Sequence, residues 1–220
     1  MWLVKPSVEL LWLTNNPLEM IEKAGRTCYK SEDKITKESA PKFVQMLLDQ
    51  THEAMIEHAS MSMKFICDRG VSHEIVRHRL FSYAQESTRY CNYKGGVVFV
   101  IPCWIDLPTT IKEGEDYILR SNFEIGEIIE NTTDAWIWAM AYAETRYQNL
   151  LKEGWTPQQA RSVLPNSLKT EIVITGNFRE WGHFFKLRCA TTAHPQMQEV
   201  ANMALKIAQE NVPVIFNQRI

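Results

Sequence analysis

The segment Arg77-His78-Arg79-Leu80-Phe81-Ser82-Tyr83-Ala84-Gln85-Glu86-Ser87-Thr88-Arg89-Tyr90 gathers more reactive and charged groups than any other part of this chain. It holds three arginines, one histidine, the hydroxyls of Ser82, Ser87 and Thr88, and the carbonyl-bearing Gln85 and Glu86. Arginine offers a rigid fork of donors that matches phosphate and carboxylate and keeps its charge at every working pH. Beside two hydroxyls, such forks suit a phosphorylated ligand. A solvated helix face would account for the same composition, so the spacing has to decide.

Arg77-His78-Arg79 is followed by seven residues and then Ser87, with no gap. Upstream stand Thr51-His52-Glu53 and Ile56-Glu57-His58; downstream stand Ala160-Arg161-Ser162-Val163-Leu164-Pro165, Asn177-Phe178-Arg179 and Phe184-Phe185-Lys186-Leu187-Arg188. In this order, from about His52 to Pro195, the landmarks resemble those of the flavin-dependent thymidylate synthases. The resemblance covers most of the chain. It implies an α+β fold, a single domain over residues 1–220 with a mixed, mainly antiparallel sheet flanked by several helices. It also implies synthesis of dTMP from dUMP, with methylenetetrahydrofolate as carbon donor and FAD, reduced by NADPH, as hydride donor. A homotetramer with active sites shared between subunits is the implied assembly.

Residue by residue, the resemblance implies FAD contacts at Ala54, Arg77, His78 and Arg79, at Gln85, and at Asn177, Phe178, Arg179 and His183. It places His52 near the flavin and the folate. For dUMP it implies Glu74 and Arg77, the run Gln85, Glu86, Ser87, Thr88 and Arg89, then Arg161 and Arg188. Hydroxyls and backbone N–H groups in the 87–89 run would cradle a monophosphate, with Arg89 as counter-charge. Arg188 is the expected catalytic residue. A fixed cation beside the N3–C4–O4 edge of uracil favours the electron-rich ring that attacks the methylene carbon, so no covalent enzyme adduct is needed. Glu57 and His58 fit a structural hydrogen bond better. Several positions depart from the family's common pattern: Glu74 for glutamine, Gln85 for glutamate, Ala54 for threonine and His183 for asparagine.

Two other readings compete. An ordinary thymidylate synthase needs a cysteine nucleophile, and Pro102-Cys103 stands in a weakly similar context, but Trp104 follows in place of a histidine. A nucleic-acid-binding module would use the Arg-His-Arg segment and an extensive basic face. The chain has 26 acids against 24 bases and a net charge of -2, which weakens that reading. Local arginine clusters must supply any anion site.

At 220 residues the chain can bury a substantial core, and 45% hydrophobic with 23% charged residues is the composition of a soluble globular protein. Its five scattered cysteines, without a CxxC pair, argue against a disulfide framework or structural zinc and fit a reducing cytoplasm. No apolar run reaches the roughly 20 residues of a membrane span, and the start lacks a signal-peptide pattern. A Gly-rich dinucleotide fingerprint is also missing, so FAD and NADPH would be bound without a Rossmann turn.

These groups need elements to hold them. Residues 2–13 read as a strand interrupted by Pro6. Asn16-Pro17-Leu18-Glu19 starts a helix running to about Cys28, and a second helix from near Glu38 carries Phe43, Val44, Leu47 and Leu48 on one face. The alternation from Ala59 to Phe65 predicts a half-buried strand. Asp68-Arg69-Gly70 reads as a turn, followed by a helix from Val71 to about Leu80 with Val71, Ile75 and Val76 inward. At its C-terminal end Arg77, His78 and Arg79 would fan out by about 100° per residue. Val97–Ile101 reads as a strand, residues 103–115 as a loop, and 115–152 as one long helix ending at Gly154. Its Trp136, Trp138 and Tyr142 read as packing residues. Thr156 to Gln159 forms a capping box that delivers Arg161. Thr170–Thr175 reads as a strand, and Asn177 caps a helix whose stripe is Phe178, Trp181 and Phe185, with Arg188 at the end and off that stripe. Pro195 opens a last helix with Val200, Met203, Ala204 and Ile207 buried.

Overall fold

The computed structural model describes residues 1–105, 117–118 and 131–217. In chain order its elements are strands β1 (Trp2–Val4) and β2 (Ser7–Leu13), helices α1 (Pro17–Tyr29) and α2 (Ser39–Asp49), strand β3 (Ser60–Asp68), helix α3 (Arg69–Ile75), and strands β4 (Ser82–Gln85), β5 (Val98–Val100) and β6 (Tyr117–Ile118). Then follow helix α4 (Thr132–Lys152), the short α5 (Pro157–Ala160), strand β7 (Lys169–Asn177), and helices α6 (Phe178–Arg188), α7 (Pro195–Asn211) and α8 (Pro213–Phe216). Short 3-10 turns cover Glu53–His58 and Arg161–Val163. The chain is α+β, as its pattern predicts.

Two compact units make up the chain. The first comprises Met1–Pro6, Ile66–His73 and Gln85–Ile172; the second comprises Ser7–Phe65, Glu74–Ala84 and Val173–Ile220. In the first, β1 is the centre of a three-stranded sheet, parallel to β5 (Leu3 opposite Phe99) and antiparallel to β6 (Leu3 opposite Tyr117). Leu3, Val97, Phe99, Met140, Tyr147 and Leu168 form its core. Pro6 separates β1 from β2, and the two join different sheets.

The other sheet has the order β2-β3-β7-β4. β3 lies inside that order, which is why it is more buried than its alternation predicts. Ser62 is among its buried residues and accepts a hydrogen bond from Thr175 Oγ1 at 2.8 Å. The second unit's core is aromatic: Phe65, Trp181, Phe184 and Phe185 are fully buried, and Phe81 packs 4.8 Å from Trp181. Burying several such rings stabilises the unit by about 1.5–3 kcal/mol each, and their contacts add geometry to that area. Gly176 is needed here, because a Cβ would stand 2.1 Å from the Phe81 ring.

Several expectations change on the structure. Asp68 is the cap of α3 rather than part of a turn, its Oδ1 accepting from Val71 N–H at 2.6 Å. That helix stops at Ile75, so Val76 is exposed and Arg77, His78 and Arg79 lie in the turns beyond it, not fanned on a helix. Asn16 stands at φ 47° and makes no side-chain cap to the backbone of α1. Leu48, Met203 and Ile207 are half-buried rather than core. The long helix begins at Thr132, and Tyr117–Ile118, expected inside it, is a strand; the rest of 106–130 lies outside the described residues. Helix α8 is not expected from the sequence pattern; Pro213 restarts the chain after α7. Arg188 stands seven residues, nearly two turns, after Trp181, which returns it to the buried stripe rather than off it.

Candidate active site

In the second unit the residues predicted for chemistry converge on Arg188, the last residue of α6. Its Nε–H donates to His78 Nε2 at 2.9 Å, Nη1 to Glu74 Oε2 at 2.6 Å, and Nη2 to the Glu74 carbonyl at 3.0 Å. A guanidinium has five N–H donors, so two remain after these bonds among the described residues. The side chain keeps 16% of its surface exposed.

Local sequence explains this convergence. Asn177 Oδ1 accepts from Glu180 N–H at 2.9 Å and starts α6, which then presents Glu180, Trp181, Phe184 and Arg188 in successive turns. The turn after α3 is pinned by Tyr83, whose hydroxyl reaches the carbonyls of Ile75 (2.8 Å) and His78 (2.6 Å). His78 is thereby turned inward, against Phe184 (5.0 Å between ring centres), His183 (5.8 Å) and Phe81 (6.1 Å). Burial, and next the charge of Arg188, lower its pKa from 6.5 to about 4. The ring is therefore neutral at pH 7. Since Nε2 accepts from Arg188, the proton is assigned to Nδ1, which lies 3.5 Å from Glu180 Oε1. Burial also raises the pKa of the Glu180 carboxyl.

Three other residues predicted for flavin contact share a cavity of about 620 Å³ in this unit: His52, Ala54 and Arg179, with Tyr29, Glu53 and Met55. His52 follows Thr51, which holds φ 55°, a strained conformation for a β-branched residue. The Tyr29 hydroxyl lies 3.2 Å from His52 Nδ1. Arg179 pairs with Glu57 (2.6 Å) and Glu53 (3.4 Å), which explains the raised pKa of its guanidinium. Arg77 and Arg79 are exposed and form no ion pair among the described residues. Phe178 has its ring in the core beside Phe216, and His183 is exposed.

The first unit holds the remaining predicted residues. The 86–91 segment follows strand β4, not a helix, and closes a turn in which the Ser87 carbonyl accepts from the N–H groups of Tyr90 and Cys91. Ser87 Oγ accepts from Arg89 N–H at 3.3 Å. Thr88 is buried, and its hydroxyl accepts from Arg161 Nη1 at 2.9 Å. Gln85 Nε2 donates to Ser72 Oγ (2.9 Å) and Thr170 Oγ1 (3.2 Å). Glu86 is tied down by the Tyr93 hydroxyl at 2.7 Å and Lys169 Nζ at 3.3 Å, and Lys169 also pairs closely with Glu171. Arg69 Nη1 braces the Glu86 carbonyl at 3.2 Å. Arg89 is exposed and sits over the Tyr90 ring.

Sequence reasoning missed Arg69, Tyr93, Lys169, Tyr83 and the place of Glu180. Only Glu180 had a usable signal, three residues after the Asn177 cap. Tyr83 and Tyr93 act on residues five to eight positions away without any periodic signal, and Arg69 and Lys169 act through contacts distant in sequence.

Fold and geometry thus define an α+β protein in which guanidinium groups among the predicted site residues are held by carboxylates, a hydroxyl and one imidazole. Comparison with known proteins gives the family. The family described as "Thymidylate synthase complementing protein" matches residues 9–214. The flavin-dependent thymidylate synthase of Corynebacterium aurimucosum is 34% identical over 204 residues, 90% of this chain and 78% of that protein. That of Geobacter sulfurreducens is 31% identical over 217 residues, 95% of this chain and 84% of the relative. The crystal structure of the UMP/dUMP methylase PolB from Streptomyces cacaoi, bound with 5-Br dUMP, superposes with a TM-score of 0.74 at 27% identity, covering 98% of this chain and 95% of that one. The chain belongs to the flavin-dependent thymidylate synthase family and is an enzyme of that class. Among the described residues, no helix is long and apolar enough to cross a membrane.

Proposed function

We propose that this chain converts dUMP to dTMP with methylenetetrahydrofolate as carbon donor, as a homotetramer with shared active sites. The observation that carries this reading is the held guanidinium of Arg188 with two uncommitted N–H donors. Set against the N3–C4–O4 edge of uracil, those donors stabilise negative charge in the ring and raise the nucleophilicity of C5. Thr88 and Arg161, with Ser87 and Arg89, supply hydroxyl and cationic contacts for the 5′-monophosphate. The relative that binds 5-Br dUMP supports a nucleotide site of this kind.

The chemistry of the donor set also fits a flavin. Arg77 and Arg79 are solvent-facing cations suited to a diphosphate, and the cavity lined by His52, Ala54 and Arg179 is open and mixes apolar with polar side chains. FAD, reduced by NADPH, would supply the hydride. His52 and Arg179 would orient it, while Ala54, smaller than threonine, leaves room and offers no hydroxyl. Glu74 stands where glutamine is common and serves here as the anchor of Arg188.

The test is spectroscopic and chemical. Purified protein reconstituted with FAD should show a flavin spectrum that NADPH bleaches, and should form dTMP only with dUMP and methylenetetrahydrofolate both present. A protein that binds FAD weakly or not at all and yields no dTMP contradicts the proposal.

A further inference from the structure

We infer that the side chain of His78 serves as a positioning residue for Arg188, and that its imidazole is not a flavin ligand. The inference rests on the role proposed above for Arg188, and it departs from the flavin contact that the Arg-His-Arg resemblance implies for His78.

The geometry leaves the imidazole no outward nitrogen. His78 is 6% exposed, its Nε2 takes the Nε–H of Arg188, and its Nδ1 faces Glu180 Oε1. Aromatic rings from Phe81 and Phe184 close around it. The arginines on either side, Arg77 and Arg79, are exposed. The three-residue segment therefore divides its work: two cations face solvent and the histidine between them turns in. Tyr83 enforces that division by holding the His78 carbonyl.

What the imidazole does there follows from the donor count. Glu74 engages both terminal nitrogens of Arg188 through its carboxylate and its carbonyl. Alone, that leaves the guanidinium free to pivot about its long stem. A neutral acceptor on Nε fixes the plane of the fork without adding a second negative charge, so the cation retains the field it needs. A carboxylate in the same place would neutralise it further; an apolar residue would leave Nε–H unpaired.

Two variants separate positioning from ligation. His78→Leu keeps the volume within the aromatic cage but removes the acceptor; His78→Gln keeps an acceptor that cannot become charged. FAD-loaded His78→Leu should lose about 10- to 100-fold in kcat with a smaller change in the KM for dUMP, the size expected from a misplaced catalytic group. His78→Gln should recover to within about fivefold of the unaltered enzyme. FAD dissociation constants, read by flavin fluorescence without turnover, should stay within about threefold for both. A weakening of FAD binding by about tenfold or more in both variants would overturn the inference, as would unchanged kcat in His78→Leu. Because the FAD measurement needs no reaction, it judges His78 even if the unaltered enzyme forms no dTMP, an outcome that strikes the proposed reaction instead.

Discussion

The segment around Glu86 to Arg89 and the network around Arg188 hold charged groups in opposite ways. In the first, Glu86 is gripped by Tyr93 and Lys169, Gln85 by Ser72 and Thr170, and Thr88 by Arg161. Many modest contacts share the load, most of them among polar neighbours. In the second, one guanidinium takes its support from two residues, one of them a histidine packed against aromatic rings. Distributed contacts bind a ligand and tolerate single losses. On the function proposed above, the concentrated site stakes the chemistry on one cation, and its supports aim it.

That contrast can be broken most severely at Arg188. Arg188→Ala should reduce kcat by about 100- to 1,000-fold, the cost of removing a preorganised donor from developing charge, while FAD binding is retained. A loss confined to KM would make Arg188 a binding residue and erase the distinction. Arg161→Ala should raise the KM for dUMP by about tenfold and leave kcat nearly intact, as expected for one charge-assisted contact among several. Steady-state kinetics on both variants give the comparison directly.

Acid should expose the second region in stability as well as rate. The folded pKa of His78 lies near 4, below its ordinary 6.5, so the unfolded chain takes up the proton first. The His78 contribution is full above pH 6.5 and is lost as the pH falls from there through about 4. Arg188, His183 and Arg77 face it with positive charge and oppose protonation, while Glu180 is the carboxylate on its other side. Melting temperatures followed from about pH 7 to 4 should fall, and His78→Gln should flatten the curve. An equal fall in that variant would assign the loss to other groups. The smallest effect is expected at Cys103, which is exposed: Cys103→Ala should hold dTMP synthesis within about twofold. Lost turnover with intact FAD binding would revive a cysteine mechanism.

Much of the frame was readable in the sequence because its signals are local. Pro17 at the start of α1, the Thr156–Gln159 capping box and the Asn177 cap of α6 depend on neighbours within a turn, and all three helices start there. The Arg-His-Arg spacing likewise identified the family. What spacing could not tell was direction. The turn after α3 ends the helix early because Tyr83, from the following strand, holds the Ile75 and His78 carbonyls, and that contact sends His78 inward. The bracing of Glu86 by Lys169 spans 83 residues, and that of Arg69 on Thr170 spans 101. Such partners carry no periodic signature. Burial of Ser62 was hidden for a related reason: a small hydroxyl reads as an outward residue until a cross-strand threonine satisfies it.

The most direct test is a crystal structure of the protein with FAD and dUMP bound. The account predicts that Arg188 keeps its Nε on His78 and its terminal nitrogens on Glu74, with the remaining N–H groups on O4 of the uracil and, once the ring is ionised, on N3. An Arg188 that has left both partners, or a uracil edge contacted by other side chains while Arg188 stays as it is, would contradict it.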